Sequence, residues 1–318
     1  MHEGSRRAIL AAFLANLGIA IAKFAGFVFT GSASLLAEAI HSVADTGNQS
    51  LLFLGGRRGE RPATPEHPFG YGRERYFWAF IVSVVLFLLG GLFALFEGEE
   101  KLRHPHEIES PTVAFVILAV AIVFEAFSFR TAVREANKVR GDERWWQFIR
   151  RSKGPELPVV LLEDLGALLG LSLALAGVTL AVVLDEPRFD AAGSIAIGAL
   201  LVVIAVVLAA EMKSLLIGES ASPKVQAEIV AAIEGCREVR KLIHLRTLHL
   251  GPEELLVAAK VDLDAPSVEA VAETIDLLEA RVRAAVPIAR VMYLEPDLYR
   301  SEGAEPPGQP SSRRSSSR

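Results

Sequence analysis

The sequence predicts an α-helical membrane protein: six transmembrane helices followed by a small cytoplasmic α+β domain whose elements run αββαβ. Three observations predict it. The 318 residues are 51% hydrophobic, but the apolar residues are concentrated between residue 7 and about residue 217, in long runs broken by short charged loops. Each run is near the ~20 residues needed to cross a bilayer. The loops also alternate in their content of Lys and Arg, as loops on opposite sides of a membrane do.

The spans run Ala8–Phe29, Ala33–Leu54, Phe77–Phe96, Thr112–Thr131, Leu157–Leu184 and Ala191–Ala210. The first follows MHEGSRR directly, contains Asn16 and Lys23, and has no small-residue cleavage site. It therefore reads as a retained helix rather than a signal peptide. The second is the least apolar. A helix carrying Glu38, His41, Asp45, Asn48 and Gln49 must be shielded from lipid by other helices.

The loop after span two carries Arg57, Arg58, Arg61, Arg73 and Arg75. The loop after span four carries Arg134, Lys138, Arg140, Arg144, Arg150, Arg151 and Lys153. The loops on the other side have few basic residues: Lys101 and Arg103 after span three, Arg188 after span five. The positive-inside rule then puts both termini in the cytoplasm, and the expected location is the plasma (inner) membrane. Within the second basic loop, ERWWQFIRRSK (Glu143–Lys153) reads either as a short helix lying at the membrane interface or as a plain basic loop.

The expected domains are 1–217 in the membrane, 218–298 as the soluble domain and 299–318 as a tail. In the soluble domain, SPKVQAEIVAAIEG has helical periodicity, with Ser222 as N-cap and Gly235 near the C-terminus. KLIHLRTLHLG and ELLVAAKVDLD are strand-like runs around the turn-prone Gly251-Pro252-Glu253-Glu254. SVEAVAETIDLLEARVRAAV is a second amphipathic helix capped by Ser267, and ARVMYLEP is a third strand. The end, PPGQPSSRRSSSR, is of low complexity.

Composition excludes several classes. A single cysteine, Cys236, leaves no intramolecular disulfide framework and no multi-cysteine metal site, and reads as a small buried thiol. A net charge of −5 gives no reason to expect nucleic-acid binding. No HExxH or similar motif is present and the charged residues of the spans include no obvious nucleophile, so an enzyme is not expected.

The residues that carry chemistry are the ionisable ones inside the spans. Such a group at the bilayer centre costs at least about 2.5 kcal/mol and is by default a functional-site hypothesis. His41 and Asp45 are four apart, so on a helix they differ by about 40° in rotation and roughly 6 Å along the axis and can reach one cation. Glu38 lies near the same face. Span five supplies Glu163 and Asp164; as neighbours they point about 100° apart, so only one can aim straight at a site defined by span two. A histidine with carboxylates suits a divalent metal. A purely structural polar cluster is the bland alternative, but acids with few basic partners need a metal or protons to neutralise them.

The run GSASLLAEAIHSVADTGNQ, followed after a basic loop by HPFGYGRERYFW, resembles the cation diffusion facilitator family of zinc and manganese exporters. LPVVLLEDLGALLGLSLALAG resembles span five of the subgroup that includes an animal mitochondrial zinc transporter. The resemblance covers residues 6 to 298. It implies six spans, a cytoplasmic αββαβ domain, a homodimer embedded in membrane lipid, and metal-for-proton antiport. It also implies a metal site of His41, Asp45 and Asp164, with Glu163 as candidate fourth ligand. The metal is the cargo; no cofactor is implied. The chain departs from the family where a second HxxxD is usual, since Val160 stands at the histidine's position. Fewer nitrogens and more oxygens shift preference from zinc towards Mn²⁺ or Fe²⁺, although the subgroup points to Zn²⁺.

Other positions read two ways. Glu125 serves a proton or metal path, or pairs with an arginine such as Arg130. Asn16 and Lys23 pair with acids of span two or merely pack. His67 faces a degraded second site, since Tyr71 stands where another histidine would be expected. His104 and His106 sit in a solvated loop. His244 and His249, five apart, fall on opposite faces of a strand. Lys260 and Tyr293 stand where the family's soluble domain would place histidines, so that domain serves dimerisation more readily than metal sensing. The competing function is a non-transporting membrane scaffold or metal sensor that acts through the αββαβ domain.

Overall fold

The computed structural model describes residues 3–30, 33–105 and 111–300. Side chains at a number of positions on the first two helices, Lys23, Glu38, His41 and Asp45 among them, lie outside the described residues, as does His106. The chain divides into two compact units. One comprises Met1–Glu219 with His249–Glu253, and the other the remaining C-terminal residues.

The first unit is helical. Helices α1 (Glu3–Thr30) and α2 (Ala33–Gly59) are followed by α3 (Glu74–Val85), a π-helical segment (Leu86–Leu92) and α4 (Phe93–Arg103), which form one unbroken rod. Then come α5 (Pro111–Arg140), the short α6 (Trp145–Arg151), α7 (Glu156–Leu184) and α8 (Arg188–Ile217). Among the described residues, four stretches are long and apolar enough to cross a membrane: the α3–α4 rod, α5, α7 and α8. The helices α1 and α2 are of similar length, 28 and 27 residues.

A 30-residue helix such as α5 is about 45 Å long, well over the ~30 Å hydrocarbon layer. Its end therefore carries charge into water. This corrects the expected loops: Arg134, Lys138 and Arg140 stand on the last turns of α5, and Arg57 and Arg58 on the last turn of α2. Arg75 is not a loop residue either. It lies in the first turns of α3, 5% exposed, and donates from Nε to Glu156 Oε1 at 2.5 Å. The aromatic-basic segment is a helix, α6, in which Phe148 is buried and Trp145 and Trp146 are exposed; the Arg140 guanidinium lies 4.4 Å over the Trp145 ring.

The helices pack as a closed circuit in which α1 touches α2 and α5, α5 touches α7, α7 touches α8, α8 touches the α3–α4 rod, and α2 touches α3. Small residues bring the rod and α8 together. A Cβ on Gly198 would lie 2.7 Å from the Leu95 backbone nitrogen, so only glycine allows this approach.

The second unit contains α9 (Pro223–Glu234), most of β1 (Val239–Gly251), β2 (Glu254–Leu263), α10 (Val268–Ala285) and β3 (Ala289–Pro296). The strand order is β1-β2-β3, with β2 and β3 parallel. Alternate residues of β2, Leu255, Val257, Ala259 and Val261, are buried against Ile229 and Ile233 of α9 and Leu278 and Val282 of α10. Both helices are capped by serine: Ser222 Oγ accepts from Val225 N and Ser267 Oγ from Ala270 N. These caps start the helices where the sequence places them.

Candidate metal site within the helix bundle

A cavity of about 160 Å³ lies among the helices of the first unit. Its wall includes Glu125 of α5, Glu163 and Asp164 of α7, Ser42 of α2 and Asn16 of α1. All three acids are at most 5% exposed. Among the described residues, the wall carries no Lys, Arg or His. The rest of it is apolar, with Leu118, Leu171 and Leu201 among the lining side chains.

The two adjacent acids of α7 go different ways, as the 100° step of a helix requires. Glu163 turns to α2, where Asn48 Nδ2 donates to its Oε1 and Gln49 Nε2 to its Oε2, each at 2.9 Å. Gln49 Oε1 in turn accepts from Asn16 Nδ2 of α1 at 3.3 Å. Asp164 turns to α5, where Ser128 Oγ donates to Oδ2 at 2.7 Å. Glu125 stands three residues before Ser128, on the same face of α5. It is buried on the cavity wall while Arg130 is exposed.

Of the four expected ligands, the structure therefore brings Glu163 and Asp164 to one cavity. His41 and Asp45 are on α2, the helix that supplies Ser42, Asn48 and Gln49, and their side chains lie outside the described residues. Val160, at the position of the usual second histidine, is fully buried in the apolar cluster with Leu157, Val159 and Leu161. Sequence reading missed three site residues: Asn48 and Gln49 as partners of Glu163, and Ser128 as the partner of Asp164. A serine one turn after a buried glutamate was the available signal for the last.

The outlying candidates have local roles. The His67 ring packs against Tyr71 at 4.6 Å, and its backbone N–H bonds Thr64. His104 pairs with Glu100 one turn earlier. His244 is exposed and His249 buried, on opposite faces as their spacing requires. Lys260 faces Glu295 across the β2–β3 pair and bonds it at 2.8 Å. Cys236 is buried and its thiol donates to Glu238.

Comparison with known proteins fits this architecture. Residues 9–217 match the family described as the cation efflux transmembrane domain. The chain is 32% identical over 267 residues to the mitochondrial proton-coupled zinc antiporter SLC30A9 of Homo sapiens, across 82% of this chain and 46% of that protein. It is 27% identical over 264 residues to metal tolerance protein C4 of Arabidopsis thaliana, across 82% of this chain and 58% of that one. It is 35% identical over 102 residues to the cation-efflux pump FieF of Shewanella oneidensis, across 32% of this chain and 34% of the pump. The chain thus spans about half the length of the first two relatives.

Proposed function

The chain belongs to the cation efflux family of multi-pass membrane proteins, and on that premise we propose that it is a proton-coupled antiporter exporting a divalent cation from the cytoplasm. Zn²⁺ is the first choice, with Mn²⁺ or Fe²⁺ as harder alternatives. The observation that carries this reading is the cavity: three buried acids around one space inside a helix bundle, two of them held by amide and hydroxyl donors. Neutral donors orient a carboxylate without cancelling its charge, and three acids on one wall suit a cation. The zinc assignment draws on the printed name of the human relative.

His41 and Asp45 of α2 and Asp164 of α7 are the proposed ligands of the ion in transit, and Glu163 completes the acidic wall beside Asp164. The ligands bind deprotonated when the site opens to the cytoplasm. Protons arriving from the other side compete for the same groups and release the ion. A histidine titrating near neutrality makes that exchange workable over a physiological range. Access alternates as helices rock around the site.

The proposed topology has six spans, with α1 and α2 as the first two, and both termini on the cytoplasmic face of a plasma or inner membrane. Residues 218–298 form the cytoplasmic domain, which serves a homodimer, and 299–318 the tail.

The test is proton flux in proteoliposomes challenged with zinc, manganese, iron and cobalt. Metal-dependent flux in the wild type that disappears in His41→Ala supports antiport. No flux with any metal favours the scaffold or sensor, and flux untouched by His41→Ala removes the proposed site.

A further inference from the structure

We infer that Glu163 is a positioning residue rather than a ligand of the transported cation. Asn48 and Gln49 hold it as the end of a three-helix clamp that fixes where its neighbour Asp164 stands. The inference rests on reading the cavity as a cation site, and it removes Glu163 from the candidate ligands.

The polarity of the clamp follows from its acid. An ionised carboxylate only accepts hydrogen bonds. Both amides must therefore turn their nitrogens towards Glu163, which leaves Gln49 Oε1 to accept from Asn16. The result is a directed chain from α1 through α2 to α7. Each oxygen of Glu163 has its own amide donor at 2.9 Å, and the donors are consecutive residues of one helix. Two-point attachment fixes the plane of the carboxylate as well as its position. Asn48 and Gln49 are 2% and 0% exposed, so bulk water is not at hand to replace either bond if Glu163 turned to an ion.

Asn48 shows how firmly the arrangement is set. Its Nδ2 serves Glu163, while its Oδ1 is buried without a hydrogen-bond partner among the described residues. A buried acceptor left unsatisfied is costly, so the amide is held for the sake of its donor.

Asp164 is held differently. One of its partners is the Ser128 hydroxyl, which can rotate and exchange donor for acceptor roles as an ion arrives and leaves. The attachment points differ in level too. Asn48 and Gln49 lie three and four residues beyond Asp45, about 4.5–6 Å further along α2. Glu163 is thus tied one turn past the His41–Asp45 pair.

Conservative and truncating variants of the full-length chain in detergent separate a clamp from a ligand. A glutamine at this position keeps its carbonyl as an acceptor for Gln49, and its amide can meet Asn48 after an amide flip. Glu163→Gln therefore keeps zinc affinity within about threefold of wild type, while Glu163→Ala lowers it about 10–100-fold, the range for outer-sphere partners. Asp164→Asn loses binding outright. With chelator present and no metal, Glu163→Ala lowers the melting temperature and Glu163→Gln does not.

A Glu163→Gln variant that loses zinc as Asp164→Asn does makes Glu163 a ligand and overturns the inference, leaving the antiporter reading intact. A Glu163→Ala variant with unchanged affinity and melting temperature also overturns it. If the wild type binds no divalent ion but the metal-free melting pattern appears, the clamp stands and the antiporter reading fails.

Discussion

The first turn of α7 buries one acid and the third turn two, and the two turns treat them in opposite ways. Glu156, 2% exposed, receives the Arg75 guanidinium at 2.5 Å, and Arg75 Nη1 also lies 3.7 Å from Glu253. A guanidinium does not lose its proton in proteins, so that charge is matched permanently. Eight residues later, Asp164 is equally buried and is met by a serine hydroxyl, and Glu163 by two amides. These neutral donors orient the two acids. One helix thus carries an acid paired with a guanidinium and, about 12 Å along its axis, two acids met by hydroxyl and amide donors. The difference lies in the partner and not in the depth of burial.

The largest expected effect tests the upper end of this comparison. Asp164→Asn keeps the size of the side chain and removes the charge. It should lower zinc affinity at least about 100-fold, beyond the usual loss from an outer-sphere change, and abolish flux while leaving the melting temperature close to wild type. A large fall in stability with binding retained would make Asp164 a structural acid like Glu156.

The lower end should respond the other way. Glu156→Ala strands a buried guanidinium and should destabilise by about 3–5 kcal/mol in denaturant or thermal unfolding. Replacing both partners, as in Arg75→Met with Glu156→Leu, should recover most of that loss. If the double variant were no better than the single one, the pair would do more than balance charge.

Val160→His sharpens the comparison by adding a nitrogen one turn before Asp164. The position is fully buried, so overpacking of about 1–3 kcal/mol is expected. In a metal panel the variant should gain zinc relative to manganese. An unchanged ratio would show that this turn of α7 does not set selectivity.

The smallest effect concerns His249. Burial pushes its ring below the ordinary pKa of 6.5, with the nearby Lys153 charge acting in the same direction and Gly251 and Glu219 opposing. The folded form therefore prefers the neutral ring. Its contribution is complete above pH 6.5 and is lost as the pH falls through the lower, folded-state value. The hydrogen-exchange protection factors of the amides in 249–253 should be constant above pH 6.5 and fall below it. His249→Gln should remove that pH dependence; the same profile in both proteins would assign it elsewhere.

Much of this fold is legible along the chain because its signals are local. Hydropathy marks the apolar stretches, and Ser222 and Ser267 stand immediately before their helices and cap the amides three residues on. The missing parts are pairings. Nothing near Glu163 points to Asn48, 115 positions away, and nothing near Arg75 points to Glu156. A polar residue in an apolar run can be recognised as costly, but the group that meets it is chosen by helix packing. The helix ends were also misplaced, for hydropathy reports where lipid stops and not where backbone hydrogen bonding stops. Arg134 to Arg140 continue α5 because water-exposed turns still form.

The π-helical segment Leu86–Leu92 has a consequence for sequence length itself. It joins α3 to α4; its own first residue, Leu86, lines the cavity, and Gly98 of α4 meets Ile195 of α8 so closely that a Cβ would lie 2.7 Å from the Ile195 side chain. A π turn holds one residue more than the α turn it replaces. Deleting one residue between Leu86 and Leu92 could be absorbed by reverting to regular α-helix. Deleting one on either side could not, since it would swing Gly98 about 100° off α8. The rod thus has one short window where its residue count is negotiable, flanked by stretches where it is fixed.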